Sequence, residues 1–248
     1  MKYFLEIAYH GGNYHGWQIQ PNALTVQGVL EDCLSKLLGY PIETLASGRT
    51  DTGVHCEQQF VQFVVPQPLQ NQQHFLHRLN AFLPEDILIR SIRPVKEEAN
   101  ARFDAIWRSY RYQILLEKSP FHRDTAWRLY KKPDIERLNE ASTRLIGKRD
   151  YEAFSKTGSD VKTHVCHIQQ AYWEERSGML FFHITADRFL RGMVRILTGT
   201  LLEIGYHKMP ISELERLIEE KDRSRAKHQA PPHGLFLARV VYPDHIWL

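Results

Sequence analysis

Apolar and polar positions along this chain recur with two different periods. Tyr3, Leu5, Ile7 and Tyr9 return every second residue, the mark of a half-buried strand over residues 2–9. Val26, Val29, Leu30, Cys33, Leu34, Leu37 and Leu38 return at spacings of three and four, which predicts an amphipathic helix with Thr25 as its N-cap and Gly39 as its stop. Residues 60–65 form a β-rich run closed by Pro66. Phe75, Leu76, Leu79, Phe82 and Leu83 then predict a second helix ahead of Pro84, and residues 87–92 return as a strand. The first ~100 residues therefore read β-α-β-α-β, the alternation of helices packed on a sheet.

The second half repeats the style without repeating the sequence. A strand is expected over 109–116 and a helix over 134–146, stopped by Gly147. A hairpin follows from the runs 169–175 and 179–186 around Ser177-Gly178. A long helix carries Leu190, Met193, Val194, Leu197, Leu201 and Ile204 as far as Gly205. Pro210-Ile211-Ser212 opens another, and residues 235–242 close as a strand. No repeat, low-complexity tract or Gly/Ser linker interrupts the pattern, so a domain boundary must be a short connection, expected near residues 100–106. The expected domains are an N-terminal α/β half, 1–104, and a C-terminal α/β half, 105–248.

Composition adds what the chain is not. With 248 residues, 43% of them hydrophobic and 25% charged, it can bury a sizeable core, which excludes disorder and fibre. The longest strictly apolar run, residues 179–182, is far short of a membrane span. The opening residues alternate like a strand and show neither the apolar core nor the cleavage site of a signal peptide, and three cysteines suit a reducing compartment, so a cytoplasmic protein is expected. A net charge of +3 is too small for the whole molecule to act as a polycation. Locally the balance differs. Between Arg102 and Lys132, eight Lys/Arg face three acids and are interleaved with Trp107, Tyr110, Tyr112, Trp127 and Tyr130. Lys221, Arg223, Arg225 and Lys227 form a second basic group. Such stretches can grip a phosphate backbone and offer rings for stacking, or can simply be solvated surface.

The densest polar cluster is Gly48-Arg49-Thr50-Asp51-Thr52-Gly53-Val54-His55. Two glycines framing one carboxylate mark a sharp turn or a close approach, and a nearby guanidinium would keep Asp51 ionised, fit to act as nucleophile or base. Read alone, the same residues also describe a structural Asx-turn with a surface ion pair. The cluster lacks the spacing of a phosphate-binding P-loop, and residues 45–56 hold no second acid for glycosidase chemistry. His164, Cys166 and His167 lack the spacing of a metal site, and none is expected. Tyr110 and Tyr112 alternate to one face of their strand, as either a stacking pair or core residues. Arg188, Arg191 and Arg195 are spaced to share a face of the late helix, and Arg195, set among Met193, Val194, Ile196 and Leu197, needs an anion.

Taken in order, Gly48 to His55, Arg108-Ser109-Tyr110-Arg111-Tyr112, Phe189-Leu190-Arg191-Gly192-Met193-Val194-Arg195 and Ala230-Pro231-Pro232-His233-Gly234-Leu235-Phe236-Leu237 resemble the four ordered motifs of the tRNA pseudouridine synthase A family. The opening Tyr9-His10-Gly11-Gly12 to Gly16-Trp17-Gln18 and Gln20-Pro21 is similar to that family's start. The resemblance implies isomerisation of uridine to pseudouridine at positions 38, 39 and 40 of the tRNA anticodon stem-loop, without cofactor or metal. It also implies an α+β fold of two ferredoxin-like, RRM-like halves joined through a largely antiparallel sheet, a catalytic cleft between them, and a homodimer that takes tRNA as its partner. Asp51 matches the family's catalytic aspartate, Tyr110 its active-site tyrosine and Arg195 the arginine that pairs with the aspartate. Leu235 matches the apolar residue of the uracil pocket, and Arg49 an arginine that holds the flipped-out nucleotide. Gly192 and Ile196 depart from the family's usual polar residues.

The chemistry asks for such residues. Moving uracil from N1 to C5 breaks a glycosidic bond, turns the base and removes the C5 proton. Asp51 can attack the nucleotide or take a sugar proton, and the sequence leaves both routes open. Tyr110 would stack on the base and share in C5 deprotonation. A non-catalytic RRM-like RNA-binding module would explain the basic residues and rings but not a carboxylate set beside RNA. A scaffold for a protein partner would predict no tRNA affinity.

Overall fold

The computed structural model describes residues 1–156, 158, 161–226 and 228–248. The chain divides into two compact units, Met1–Ile106 with Leu237–Leu248, and Trp107–Phe236. The first contains β1 (Lys2–Tyr9), α1 (Val26–Leu38), β2 (Leu45–Ala46), β3 (His55–Val64), α2 (Gln72–Phe82) and β4 (Ile87–Val95). β1 lies between β3 and β4, antiparallel to both, and β2 adds to β3. As the middle strand, β1 buries Phe4, Leu5 and Ile7 completely. α1 begins and ends where its pattern predicts: the Thr25 hydroxyl accepts from Gly28 N–H, and Gly39 takes the left-handed conformation at φ +83°. α2 starts earlier than its apolar residues do, because Asn71 caps it by accepting from His74 N–H.

The second unit holds β5 (Trp107–Leu115), β6 (Trp127–Arg128), α3 (Ile135–Thr143), β7 (Gly147–Asp150), β8 (Val165–Arg176), β9 (Met179–Ala186), α4 (Met193–Gly205) and α5 (Ile211–Glu220). Its strand order is β5-β9-β8-β7, antiparallel throughout, with β6 parallel to β5. The β8–β9 turn has Ser177 at φ +53° and Gly178 at φ +75°, the pair of left-handed residues that matches strand twist in a two-residue hairpin. α3 packs on β8, where Asn139 bonds both the N–H and the C=O of Trp173. Trp173 stacks on Phe182 at 4.7 Å. The helix expected over 134–146 ends at Thr143, and Gly147, read as its stop, instead opens β7 at φ +108°. The late helix starts at Met193, not Leu190, because Gly192 at φ +72° breaks the turn before it.

The chain leaves the second unit within β10 (Leu235–Val241), and its last twelve residues belong to the first unit. Aromatic packing holds them there. Tyr242 and Trp247 meet Phe4 and Phe60 with ring centroids 5.2–5.8 Å apart, and Arg93 lies 3.8 Å over the Trp247 ring. Lys96 N–H donates to Ile246 C=O at 3.0 Å and Leu248 N–H to Pro94 C=O at 3.3 Å. The 105–248 span read from the sequence ends differently for this reason: the closing segment is rich in apolar residues, but their partners lie some 150 residues earlier or more, a pairing that no local pattern reveals.

Phe60 is 5% exposed at the centre of this cluster. Phe60→Ala should cost about 3–5 kcal/mol. Cutting the chain after Tyr242 should destabilise the same unit. Urea unfolding curves check both, and an unaltered midpoint in the truncated chain would remove the cluster from the folding core.

Candidate active site

Asp51 stands half-buried in the loop between β2 and β3. The residues around it are anchored on every side. Thr50 is buried, its hydroxyl 2.8 Å from the Tyr9 hydroxyl, and its carbonyl accepts from Trp17 N–H at 3.1 Å. Val54 N–H closes the turn on the Asp51 carbonyl at 3.1 Å, and Gly53, at φ +76°, donates to Tyr14 C=O at 3.3 Å. Arg49 is exposed.

The segment 10–17 is what this loop rests on. A Cβ on Gly11 would lie 2.0 Å from the Val54 carbonyl oxygen, and one on Gly16, at φ +89°, would lie 2.6 Å from that of Thr50. Main chain therefore touches main chain, and only glycine fits. Gly11 N–H donates to His55 Nδ1 at 3.1 Å, so this buried ring presents an unprotonated Nδ1 to the backbone and braces the loop. The Gly-rich opening, which the sequence offers as a loop without a role of its own, is thus the floor of the Asp51 turn. Its signal was a dense set of small residues following a strand.

In the second unit Tyr110 lies on β5, half-buried, its ring edge-on to Phe189 at 5.0 Å. Tyr112 is completely buried and donates to Pro231 C=O at 2.8 Å. Burial raises its hydroxyl pKa far above the ordinary phenol value, against the pull of Arg195, so it serves as a strut. Of the tyrosine pair, only Tyr110 stays partly accessible.

Arg195 sits in the first turn of α4, half-buried. Its Nε donates to Ala230 C=O at 2.7 Å while its own carbonyl accepts from Ala230 N–H at 3.0 Å. Behind it, a Cβ on Gly199 would meet the His228 carbonyl oxygen at 2.1 Å. A Cβ on Gly234 would lie 2.8 Å from both the Tyr112 ring and the Gln113 carbonyl oxygen, and Leu235 follows it, 5% exposed. Segment 228–235 is thereby fastened to α4 and β5 together. Arg188 and Arg191 do not share the face of Arg195 as expected, because both precede the helix; Lys156 N–H donates to the Arg191 carbonyl at 2.9 Å. Burial lowers the pKa of His233, and the charge of Arg195 adds to this, while an Ala126 backbone hydrogen bond and the Asp124 carboxylate oppose it.

Two members of the second basic group are paired with carboxylates: Lys221 meets Asp150 at 2.7 Å, and Arg225 pairs with Glu213 and Glu220, while Arg223 donates to the Ala226 carbonyl. Lys227 lies outside the described residues. Among the described residues, Asp150, Glu152 and His164 could together face a metal ion, but the Lys221 ammonium already stands against Asp150. No described helix is long and apolar enough to cross a membrane.

Gly16→Ala should cost about 2–4 kcal/mol through strain at positive φ and collision with the Thr50 carbonyl. Gly48→Ala, with nothing within 4 Å of its added carbon, should stay within about 0.5 kcal/mol. Denaturant midpoints of the two variants test this ordering, and equal costs would contradict the close approach.

The family model described as tRNA pseudouridine synthase matches residues 7–104 and 141–243. These ranges take in Arg49, Asp51, Arg195 and Leu235, while Tyr110 falls in the gap between them. The chain is 42% identical to the tRNA pseudouridine synthase A of Parabacteroides distasonis, over 99% of this chain and 98% of that protein. It is 43% identical to that of Porphyromonas gingivalis, over 100% of this chain and 99% of the relative. With the Bacteroides thetaiotaomicron protein of the same name it shares 43%, over 99% and 92% of the two chains. Likeness of this extent, running through both units, shows that the chain belongs to the tRNA pseudouridine synthase family.

Proposed function

We propose that this protein converts uridine to pseudouridine at positions 38, 39 and 40 in the anticodon stem-loop of tRNA, acting as a homodimer in the cytoplasm. The observation that carries the reading is the end-to-end likeness to proteins named tRNA pseudouridine synthase A, at 42–43% identity. Physical chemistry supports the roles. The N1–C1′ bond breaks, C5 bonds to C1′, the C5 proton leaves and N1 gains one, so the reaction needs a positioned carboxylate and a proton acceptor but no oxidant or reductant.

Asp51 is the nucleophile or base, its turn held by Thr50, Gly53 and Val54. Tyr110 stacks on the base and shares in C5 deprotonation. Arg195, its Nε donating to Ala230 C=O at the start of α4, carries the planar guanidinium suited to hold a carboxylate and is the cation assigned to Asp51. Leu235 is the apolar wall for uracil. Arg49, exposed, offsets the cost of a few kcal/mol of taking a stacked nucleotide out of the stem.

Tritium at uridine C5 of undermodified tRNA should be released into water by the wild-type protein. Asp51→Asn should release none while its tRNA Kd stays within about threefold. Turnover by Asp51→Asn at the wild-type rate would refute the assignment, and wild-type binding without release would leave a binding module.

A further inference from the structure

The second unit carries a pocket that the reacting residues do not use. It measures about 390 Å3, within the range of roughly 300–1,000 Å3 typical of small-ligand sites. Leu115 and Ala126 form its apolar floor, and Lys118, Arg123, Arg128 and His233 its rim. Among the described residues no carboxylate lines it; the neighbouring Asp124 pairs with Arg123 at 3.1 Å. The walls are fixed, since β6 sets Arg128 against Leu115 and the Thr125 and Ala126 amides both donate to His122 C=O.

Two solvent-exposed rings neighbour its lining residues in the chain, Phe121 directly after Pro120 and Tyr130 two residues past Arg128. Phe121 is 89% exposed and Tyr130 91%, more than any other large apolar side chain among the described residues. Folding hides neither, so nothing in the core explains them. The Arg128 guanidinium lies 4.9 Å from the Tyr130 ring centroid, which extends that ring into a broader cationic stacking surface. An apolar-floored cavity, a rim of cations and exposed flat groups answer the three parts of an unstacked nucleotide: sugar, phosphate and base. An acidic peptide would use the cations but leave both rings without a purpose.

We propose that this pocket seats one unpaired nucleotide of the RNA substrate, its base against Tyr130 or Phe121 and its phosphate on Lys118 and Arg128. The inference rests on the RNA-directed reading above and deepens it. His233 stands two residues before Leu235, so the subsite adjoins in sequence the segment assigned to the target uracil.

The test uses the full chain, an unmodified tRNA transcript and a fluorescein-labelled single-stranded RNA heptamer, with Kd read by anisotropy. The double variant Phe121→Ala/Tyr130→Ala should bind both RNAs roughly tenfold more weakly or worse, and Tyr130→Trp should bind as wild type does. Lys118→Gln and Arg128→Gln should each flatten the slope of log Kd against log salt by about 0.7. Lys208→Gln, a surface cation paired with Glu203, should leave it unchanged. Kd values within twofold of wild type in the double variant overturn the proposal. So does a change in sedimentation with RNA affinity intact, which assigns the rings to a second copy of the chain. Because binding is read without turnover, wild-type protein that binds but releases no tritium refutes the isomerase reading alone. Turnover with unaltered variant affinity refutes the subsite alone, and wild-type protein that binds no RNA refutes both.

Discussion

The placing of the Asp51 carboxylate depends on main chain lying directly on main chain. At Gly11 and Gly16 the separation from the Asp51 turn leaves no room for a Cβ, so the carboxylate's position is set by backbone contact, not by long side chains that could rotate. Hydrogen bonds from Trp17 and Gly53 run in both directions across that contact, and Thr50 adds a buried hydroxyl pair with Tyr9. A buried backbone group without a partner would cost more than a hydrogen bond gains. The turn and its floor therefore form together or not at all.

The second unit reaches the same end by other means. Its fastener is the segment 228–235, tied to α4 through Arg195 and Ala230 and to β5 through Tyr112 and Pro231. Tyr112 shows how a motif residue can serve the scaffold. Its hydroxyl is spent on a carbonyl and its proton is held by burial, yet it sets the height of the turn from which Leu235 emerges.

Much of this was legible in the sequence where one local rule acted alone. Thr25 and Gly39 bound α1 as their side-chain chemistry requires, and Ser177-Gly178 turns the hairpin. Reading failed where a tertiary partner decided the outcome. β3 begins at His55, ahead of its apolar run, because pairing with β1 draws polar residues into the sheet. The two-residue strands β2 and β6 carry too few positions to show a period. Gly192 and Gly147 each carry a positive φ that redirects the chain, and neither announces whether it ends a helix or opens the next element. Around the candidate residues the support was not legible: nothing in the spacing reveals that Ala230 holds Arg195 or that Gly16 underlies Asp51.

That support has a pattern. Asp51, Tyr110 and Leu235, the positions to which roles are proposed above, each have a near neighbour whose own side chain or missing Cβ does the holding: Thr50 before Asp51, Tyr112 two after Tyr110, and Gly234 before Leu235. A side chain with one polar group, once that group bonds its own scaffold, has none left for a substrate, so at these positions anchoring falls to a neighbour in the chain; Arg195, with several donors, can do both. Because reaction rates are sensitive to displacements of about 1 Å, the anchoring neighbours constrain the chemistry nearly as tightly as the reactive groups do. Short motifs of several residues, instead of isolated catalytic letters, are the natural consequence.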